Sequence, residues 1–557
     1  MIWGCGADLT KSRVHSLGYS LKIFHMNHVE NNHVDLDVNS LASHTFITGS
    51  TGSGKSNTVY QILNEVGENG VKFLIIEPTK GEYKDIFGNE PDVNVFSTNP
   101  TIAPLLKLNP FSFPDGIHVF EHIDRLVEIF NVCWPMYAAM PAVLKNAVQK
   151  SYEDCGWDVV NSVNPYGKGL FPCFADVARN VRTIIDFSEY DSENKGAYKG
   201  SLLTRLESLT NGINGLVFST DEIKNEILFD ENTIIDLSRV GSNETKSLLM
   251  GMIVLKLQEY RMVKAIGMNE ELKHITVLEE AHNLLKRTSQ DFSSESGNLL
   301  GKSVEMISNA IAEMRTYGEG FIIADQAPGL LDMAAIRNTN TKIIMRLPDQ
   351  GDRELVGKAA SLNDDQLTEL SKLPRGVAAV YQNEWVVPVL CKVDKFDYSA
   401  GRYINNKDDE KEVIFDNSKS LSIMELLSDG TAMNTEKIQK EIVPDLDSMM
   451  IPPSIKVSIM KMLMNPAKEP RMTKLAPIVN RLFPSVVKSI RETYSYKSAV
   501  ASDWTQSAED ALVELGNYTI KDQVRRDIIQ GAMTYYFLNE ISNSGALREW
   551  KEQGGLR

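Results

Sequence analysis

Between residues 44 and 390 the chain alternates short apolar runs with longer stretches of helical spacing. The runs are 44–49, 72–77, 93–96, 233–237, 274–279, 320–325 and 342–347. Most are β-branched and almost continuously apolar, the pattern of strands covered on both faces. Between them, 55–66, 244–260 and 302–316 carry apolar residues at the period of a helix. Such alternation predicts an α/β fold with a mainly parallel sheet. Runs 376–381 and 385–390, flanking 382–384, predict a β-hairpin at the sheet edge.

Two regions break the alternation. Residues 117–216 hold helical patterns at 118–131 and 138–154, then polar Gly/Asn/Ser-rich stretches near 161–169 and 191–200. They read as a mainly helical insertion. After Asp394 the strand signal stops, and 410–557 reads as helices broken at Pro444, Pro452, Pro453, Pro466, Pro470, Pro477 and Pro484. The expected organisation is a short N-terminal segment (1–40), an α/β core (41–400) and a helical C-terminal extension (401–557). Residues 17–24 and 34–38 offer two short strands before the core.

Composition narrows the class. Of 557 residues, 42% are hydrophobic and 24% charged, an ordinary globular balance that excludes fibrous and disordered chains. No apolar stretch approaches the ~18 residues of a membrane span. Residues 1–10 lack the basic start and apolar core of a secretory signal. Five scattered cysteines without a CxxC pair fit reduced thiols in a cytoplasmic protein rather than a disulfide framework or zinc site. Net charge is −16, which argues against a surface that coats nucleic acid everywhere. Residues 401–557 carry 21 basic and 22 acidic side chains, so the excess acid lies in 1–400. Any grip on DNA must therefore be local. Lys286, Arg287 and Lys302 flank a Ser/Gly-rich loop at 288–301, and 456–497 has nine Lys/Arg against two Glu. The loop fits the lining of a DNA-holding pore, the second tract fits DNA or a partner, and either fits a solvated surface.

The strongest motif is Gly49-Ser50-Thr51-Gly52-Ser53-Gly54-Lys55-Ser56, a GxxxxGK[ST] phosphate loop between a predicted strand and a predicted helix. Its glycines let backbone N–H groups converge on phosphate oxygens at a helix N-terminus. Residues 49–57, Asn57 included, form the expected ATP-binding set. Lys55 reaches the β- and γ-phosphates and Ser56 ligates Mg²⁺. A second motif, Ile275-Thr-Val-Leu-Glu279-Glu280, ends an apolar strand in two acids. Glu279 is assigned to the Mg²⁺ shell, through water, and Glu280 to polarising the attacking water. Gln326, ending the run 320–325, is a candidate for the γ-phosphate or that water. Arg315 and Arg346 are candidate arginine fingers; a bare helix-terminal arginine is otherwise a dipole partner.

These motifs, in this order, resemble the HerA family of prokaryotic DNA-translocating ATPases, related to FtsK and to conjugation ATPases. The resemblance also rests on Ile75-Ile-Glu-Pro-Thr-Lys-Gly-Glu-Tyr83, Leu108-Asn-Pro-Phe111, Ile234-Ile-Asp-Leu-Ser238, Leu278-Glu-Glu-Ala-His-Asn-Leu284, Met314-Arg-Thr-Tyr-Gly318 and Asn340-Thr-Lys-Ile-Ile-Met-Arg-Leu347. It spans roughly residues 35–395. It implies a RecA-like core and a homohexameric ring with ATP between subunits. It also implies duplex DNA in the central pore and a separate nuclease-like or nucleotide-degrading effector, in DNA end processing or antiphage defence. Such proteins usually carry a β-barrel before the core; here 43 residues precede the first predicted core strand, so either the barrel is absent or the sequence is a shortened form, and 1–40 is expected to be a remnant or shortened barrel. The expected function is an ATP-driven DNA translocase or helicase. An assembly ATPase whose ring activates an effector is the alternative, with a conjugation-type motor third. Residues 1–39 are the expected effector-docking site and 456–497 the rival.

Overall fold

The structure, a computed structural model, describes residues 13–14, 18–20, 34–134, 136–287, 295–398, 401–405, 417–449, 451–466, 471–495, 500–516 and 520–554. Most of the N-terminal segment and residues 288–294 of the expected loop 288–301 lie outside them; the rest of that stretch opens the helix Glu295–Glu313 instead of a loop. The chain divides into two compact units. One comprises Met1–Ala147 and Val181–Lys407, the other Val148–Asn180 and Asp408–Arg557. The predicted insertion is thus shared between them.

The first unit is built on a ten-stranded sheet. Its strands, in chain order, are β2 (Gly18–Ser20), β4 (Thr45–Thr48), β5 (Lys72–Glu77), β6 (Val93–Ser97), β7 (Asn232–Asp236), β8 (His274–Glu279), β9 (Glu319–Asp325), β10 (Thr341–Ile344), β11 (Val377–Gln382) and β12 (Val389–Val393). β1 (Arg13–Val14) and β3 (Leu36–Asp37) form a separate antiparallel pair. The sheet order is β2-β12-β11-β10-β4-β9-β8-β5-β7-β6. From β10 to β6 all seven strands are parallel. They are the seven runs expected from the sequence, and the fold is α/β with a RecA-like core.

The antiparallel hairpin β11–β12 adds to the β10 edge. Its second strand starts at Val389, later than expected. Pro388 has no N–H to donate, and Val386 stands 92% exposed, so the turn lengthens before pairing begins.

Register places the strand ends together. Thr48 pairs with Asp325 and Ile344, Glu279 with Ala324, and Glu77 with Asp236. Five chemistry-bearing residues therefore reach one carboxyl edge, where open α/β sheets bind ligands. Helix α1 (Lys55–Glu68) buries Val59, Ile62, Leu63 and Val66 in one cluster with Ile47, Ile75, Val277, Ile322 and Ile343. These apolar contacts fix the loop that precedes α1.

The second unit is helical. Helices Pro453–Met464, Arg471–Leu482, Pro484–Tyr494, Ala501–Val513 and Asp522–Thr534 enclose Phe483, Trp504, Ile528, Phe537 and Trp550. Residues 148–180 belong to this unit: Ser454 donates to Asp176, and Lys461 lies 5.3 Å from the Tyr166 ring centroid. Much of the 456–497 basic tract is spent internally. Lys456 pairs with Asp447, Arg471 with Asp527 and Arg491 with Glu540.

Candidate active site

Residues 49–54 run from the end of β4 to the start of α1 in a tight path set by glycine. A Cβ on Gly49 would lie 2.6 Å from Ser53 Oγ and 2.7 Å from Met345 Cβ. Gly54 has φ +113°, and a Cβ there would meet the Gly376 backbone at 3.2 Å. The loop is tied from two sides. Ser50 N–H donates to the Arg346 carbonyl at 2.9 Å, and Gly376 N–H donates to the Ser53 carbonyl at 2.7 Å. The first turn of α1 leaves amide N–H groups without intrahelical acceptors and adds the positive end of the helix dipole.

Lys55 opens α1 and is buried, with 5% of its side chain exposed. Its Nζ lies 3.6 Å from Glu279 Oε2 and 3.5 Å from Glu280 Oε1. Yet among the described residues it has no hydrogen-bond partner. A buried ammonium without an acceptor is costly. Here it faces the cradle of a phosphate loop, so a phosphate oxygen is the acceptor its position fits.

Glu279 ends β8, buried. Tyr83 OH donates to its Oε1. Burial raises its pKa, and Lys55 and the Tyr83 hydroxyl pull back. Tyr83 begins helix α2 (Tyr83–Phe87), and its N–H, with that of Glu82, donates to the Glu77 carboxylate at 3.1 and 2.8 Å. Burial pushes Glu77 up to about 8 despite those two bonds. Lys80 Nζ lies 3.4 Å from Ser56 Oγ and 3.3 Å from Glu82 Oε1. An ammonium thus stands beside the hydroxyl expected to ligate Mg²⁺. Ser56, the free oxygen of Glu279 and this acidic surround form a hard-oxygen set suited to Mg²⁺.

Glu280 sits at φ +46°, a left-handed conformation that costs a non-glycine residue about 1–2 kcal/mol. The turn aims its carboxylate back toward Lys55. Gln326, just past β9, donates to Glu280 Oε1 and accepts from Thr51 Oγ1 at 2.7 Å. One amide thus bridges the phosphate loop and the second acid. Asp325 accepts from His282 N–H and His282 Nδ1, both at 2.9 Å, and from Ala327 N–H at 2.9 Å. This bond to Asp325 raises the His282 pKa. Glu280, His282 and Asp325 lie close enough to hold a cation, but Asp325 is already satisfied by these donors.

The structure brings Thr51, Lys55, Ser56, Glu279, Glu280 and Gln326 together. Asn57 turns elsewhere: its amide donates to the Asp394 carbonyl at 2.8 Å and accepts from Phe396 N–H at 2.9 Å. Arg346 serves the loop through its carbonyl. Arg315 is exposed in the turn Met314–Tyr317, before β9 begins. At ~3.3 Å per residue, seven-residue β9 separates it from its own Gln326 by roughly 20 Å. Sequence reasoning gave no role to Glu77, Lys80, Tyr83, His282 or Asp325. The available signal was a repeated one: β5, β7, β8 and β9 each end in an acid.

Fold and site together define a P-loop ATPase. The family model for the central domain of helicase HerA matches residues 25–257. The DNA double-strand break repair helicase HerA of Sulfolobus acidocaldarius is 23% identical over 65% of this chain and 67% of its own length. The probable DNA double-strand break repair helicase HerA of Methanocaldococcus jannaschii is 26% identical over 69% and 78%. Among solved structures, VirB4 of Thermoanaerobacter pseudethanolicus superposes with a TM-score of 0.50 at 17% identity, over 70% of this chain and 97% of that one. It shares the fold. Over its ATPase core this chain is similar to HerA-family helicases. Among the described residues no helix is long and apolar enough to cross a membrane.

Proposed function

We propose that this chain is the subunit of a homohexameric motor that hydrolyses ATP to translocate or unwind duplex DNA held in its central pore. A separate nuclease-like or nucleotide-degrading effector works with it, in DNA end processing or antiphage defence. The observation that carries the reading is the buried Lys55 ammonium, held without a hydrogen-bond acceptor at the head of a phosphate loop. The HerA relatives supply the link to DNA.

In this reading the backbone of residues 49–57 and the start of α1 hold the phosphates of ATP. Lys55 reaches the β- and γ-phosphates. Ser56, and Glu279 through water, would hold Mg²⁺, which when bound neutralises charge on the phosphate oxygens. Glu280 orients water for in-line attack on the γ-phosphorus. Gln326 couples that carboxylate to Thr51. Arg315, too distant from its own nucleotide, acts on the neighbouring subunit's; Arg346 is the alternative finger.

One set of steady-state assays tests both halves. The wild-type ATPase rate is expected to rise strongly with duplex DNA. Mixing Arg315→Ala with Lys55→Ala subunits is expected to restore activity above either mutant alone, because some interfaces then hold both intact halves. A rate indifferent to DNA, raised only by an effector, overturns the motor in favour of a scaffold. Mixing without recovery removes Arg315 from the site.

A further inference from the structure

Glu280 keeps its left-handed backbone between β8 and the short turn Ala281–Asn283, and the hydrolysis scheme gives no task to the residues that hold it there. A non-glycine residue stays in that region only where its surroundings over-determine it. Two sets of bonds do so. The Glu280 carbonyl accepts from Asn283 N–H at 3.0 Å and from Asn283 Nδ2 at 2.8 Å. Two residues past Glu280, the N–H and Nδ1 of His282 both meet Asp325 Oδ2 at 2.9 Å. A carboxylate oxygen only accepts, so Nδ1 carries the proton and donates. Asp325 is fully buried at the end of β9, and its Oδ1 accepts from Ala327 N–H at 2.9 Å. That bond closes the turn that presents Gln326. One carboxylate thus anchors the segment that carries Glu280 and the segment that carries Gln326.

The Glu280 carboxylate itself is held on one side. Oε1 accepts from Gln326 and lies 3.5 Å from Lys55 Nζ. Oε2 lies 3.6 Å from His282 Nδ1, too far for a hydrogen bond. His282 therefore acts on Glu280 through the backbone between them. Resting on the ATP-site reading above, we propose that His282 is a positioning residue: its Nδ1–H bond to Asp325 latches the left-handed turn and keeps the Glu280 carboxylate where it orients water. The working part is a donor at the Nδ1 position, not the acid–base chemistry of the ring. With that bond cut, the turn relaxes toward ordinary backbone and draws the carboxylate away from Gln326 and Lys55. The phosphate loop keeps its own ties, Ser50 N–H to the Arg346 carbonyl and Gly376 N–H to the Ser53 carbonyl, so nucleotide binding does not depend on the latch. Misplacing a catalytic group by about 1 Å can cost about 10²-fold in rate.

The test is single-turnover ATP hydrolysis by the full chain with Mg²⁺, beside equilibrium binding of a fluorescent ATP analogue. The His282 side chain is 30% exposed and its N–H bond to Asp325 survives any substitution, so the variants loosen the turn without unfolding the core. His282→Ala is expected to slow hydrolysis by about 10–100-fold at unchanged nucleotide affinity. His282→Asn puts an amide N–H at the position of Nδ1 and is expected to restore most of the rate. His282→Gln carries its amide one bond further out and is expected to stay as slow as alanine. Asparagine as slow as alanine makes the imidazole itself the reacting group and overturns the latch. Recovery by glutamine instead of asparagine places the donor at Nε2 and overturns it too. So does an unchanged rate in His282→Ala, or a loss of nucleotide affinity in step with the rate, which marks a merely structural role. Lys55→Ala separates these failures from a deeper one: unaltered nucleotide binding there rejects the ATP site itself. Lost binding there, with an unchanged rate in His282→Ala, rejects only the latch.

Discussion

The two edges of the parallel sheet both bury carboxylates beside cations, and they resolve the cost in opposite ways. At the amino edge Glu319, at the start of β9, accepts from Arg261 Nε at 2.8 Å and Thr276 Oγ1 at 2.7 Å, and pairs with His274 Nδ1 at 2.8 Å. Arg261 also reaches Asp230 at 2.8 Å and the Phe229 carbonyl. Both Glu319 oxygens are taken, and His274 and Arg261 hold its pKa down at about 2 against full burial. At the carboxyl edge Lys55 hangs 3.5–3.6 Å from two acids without a hydrogen bond, Glu280 adopts a strained backbone, and Glu279 is pushed up by burial. A closed network stabilises the fold. An open one stores unsatisfied charge for a ligand, the usual stability cost of a functional site.

The largest expected effect breaks the open edge chemically and leaves the fold alone. Glu280→Gln keeps the hydrogen-bonding partner of Gln326 but removes the base. Turnover is expected to fall by about 10²–10⁴, the range for loss of a positioned general base. Nucleotide should still bind, and denaturant midpoints should stay close to wild type. Single-turnover ATP hydrolysis and urea unfolding check the pair. Normal turnover removes Glu280 from the mechanism.

The closed edge should answer in reverse. Glu319→Gln leaves Arg261 and His274 facing a neutral amide, and breaking a buried ion pair costs about 3–5 kcal/mol. Nucleotide affinity of the folded variant should be unchanged. The pH dependence has a definite sign. Glu319 has an ordinary carboxyl pKa of 4.5 when unfolded and about 2 when folded. Its contribution is therefore present above pH 4.5 and lost as pH falls toward 2. Acid unfolding of Glu319→Gln should lack that component. A pH profile parallel to wild type over this window would contradict the assignment.

The sequence shows the open edge more readily than the closed one, for a physical reason. A phosphate loop needs glycine, lysine and serine at fixed spacing within eight residues, so 49–56 is legible directly. Strand-end acids such as Glu279 are legible because buried parallel strands are otherwise apolar. Tyr83 is not, because its bond to Glu279 depends on β5 lying beside β8, where Lys72 pairs with His274 far away in sequence. The amino-edge network likewise joins residues from Asp230 to Glu319 that no local pattern connects. The membership of 148–180 in the helical unit is hidden too, since Asp176 and Ser454 meet only in the folded chain.

The smallest effect sharpens the comparison inside the phosphate loop itself. Position alone places Asn57 among the nucleotide ligands, two residues past Lys55. Its side chain instead bonds both ways to the segment after β12, donating to Asp394 and accepting from Phe396. By that geometry it belongs with the closed networks. Asn57→Ala removes two hydrogen bonds worth about 0.5–1.5 kcal/mol each and strands a backbone donor and acceptor in a half-buried place. Stability is expected to fall by about 1–2 kcal/mol, read as a shift in urea midpoint at unchanged slope. KM for ATP should move less than about twofold, because the phosphates are held by backbone N–H groups that alanine retains. A large rise in KM with no loss of stability would return Asn57 to the open edge.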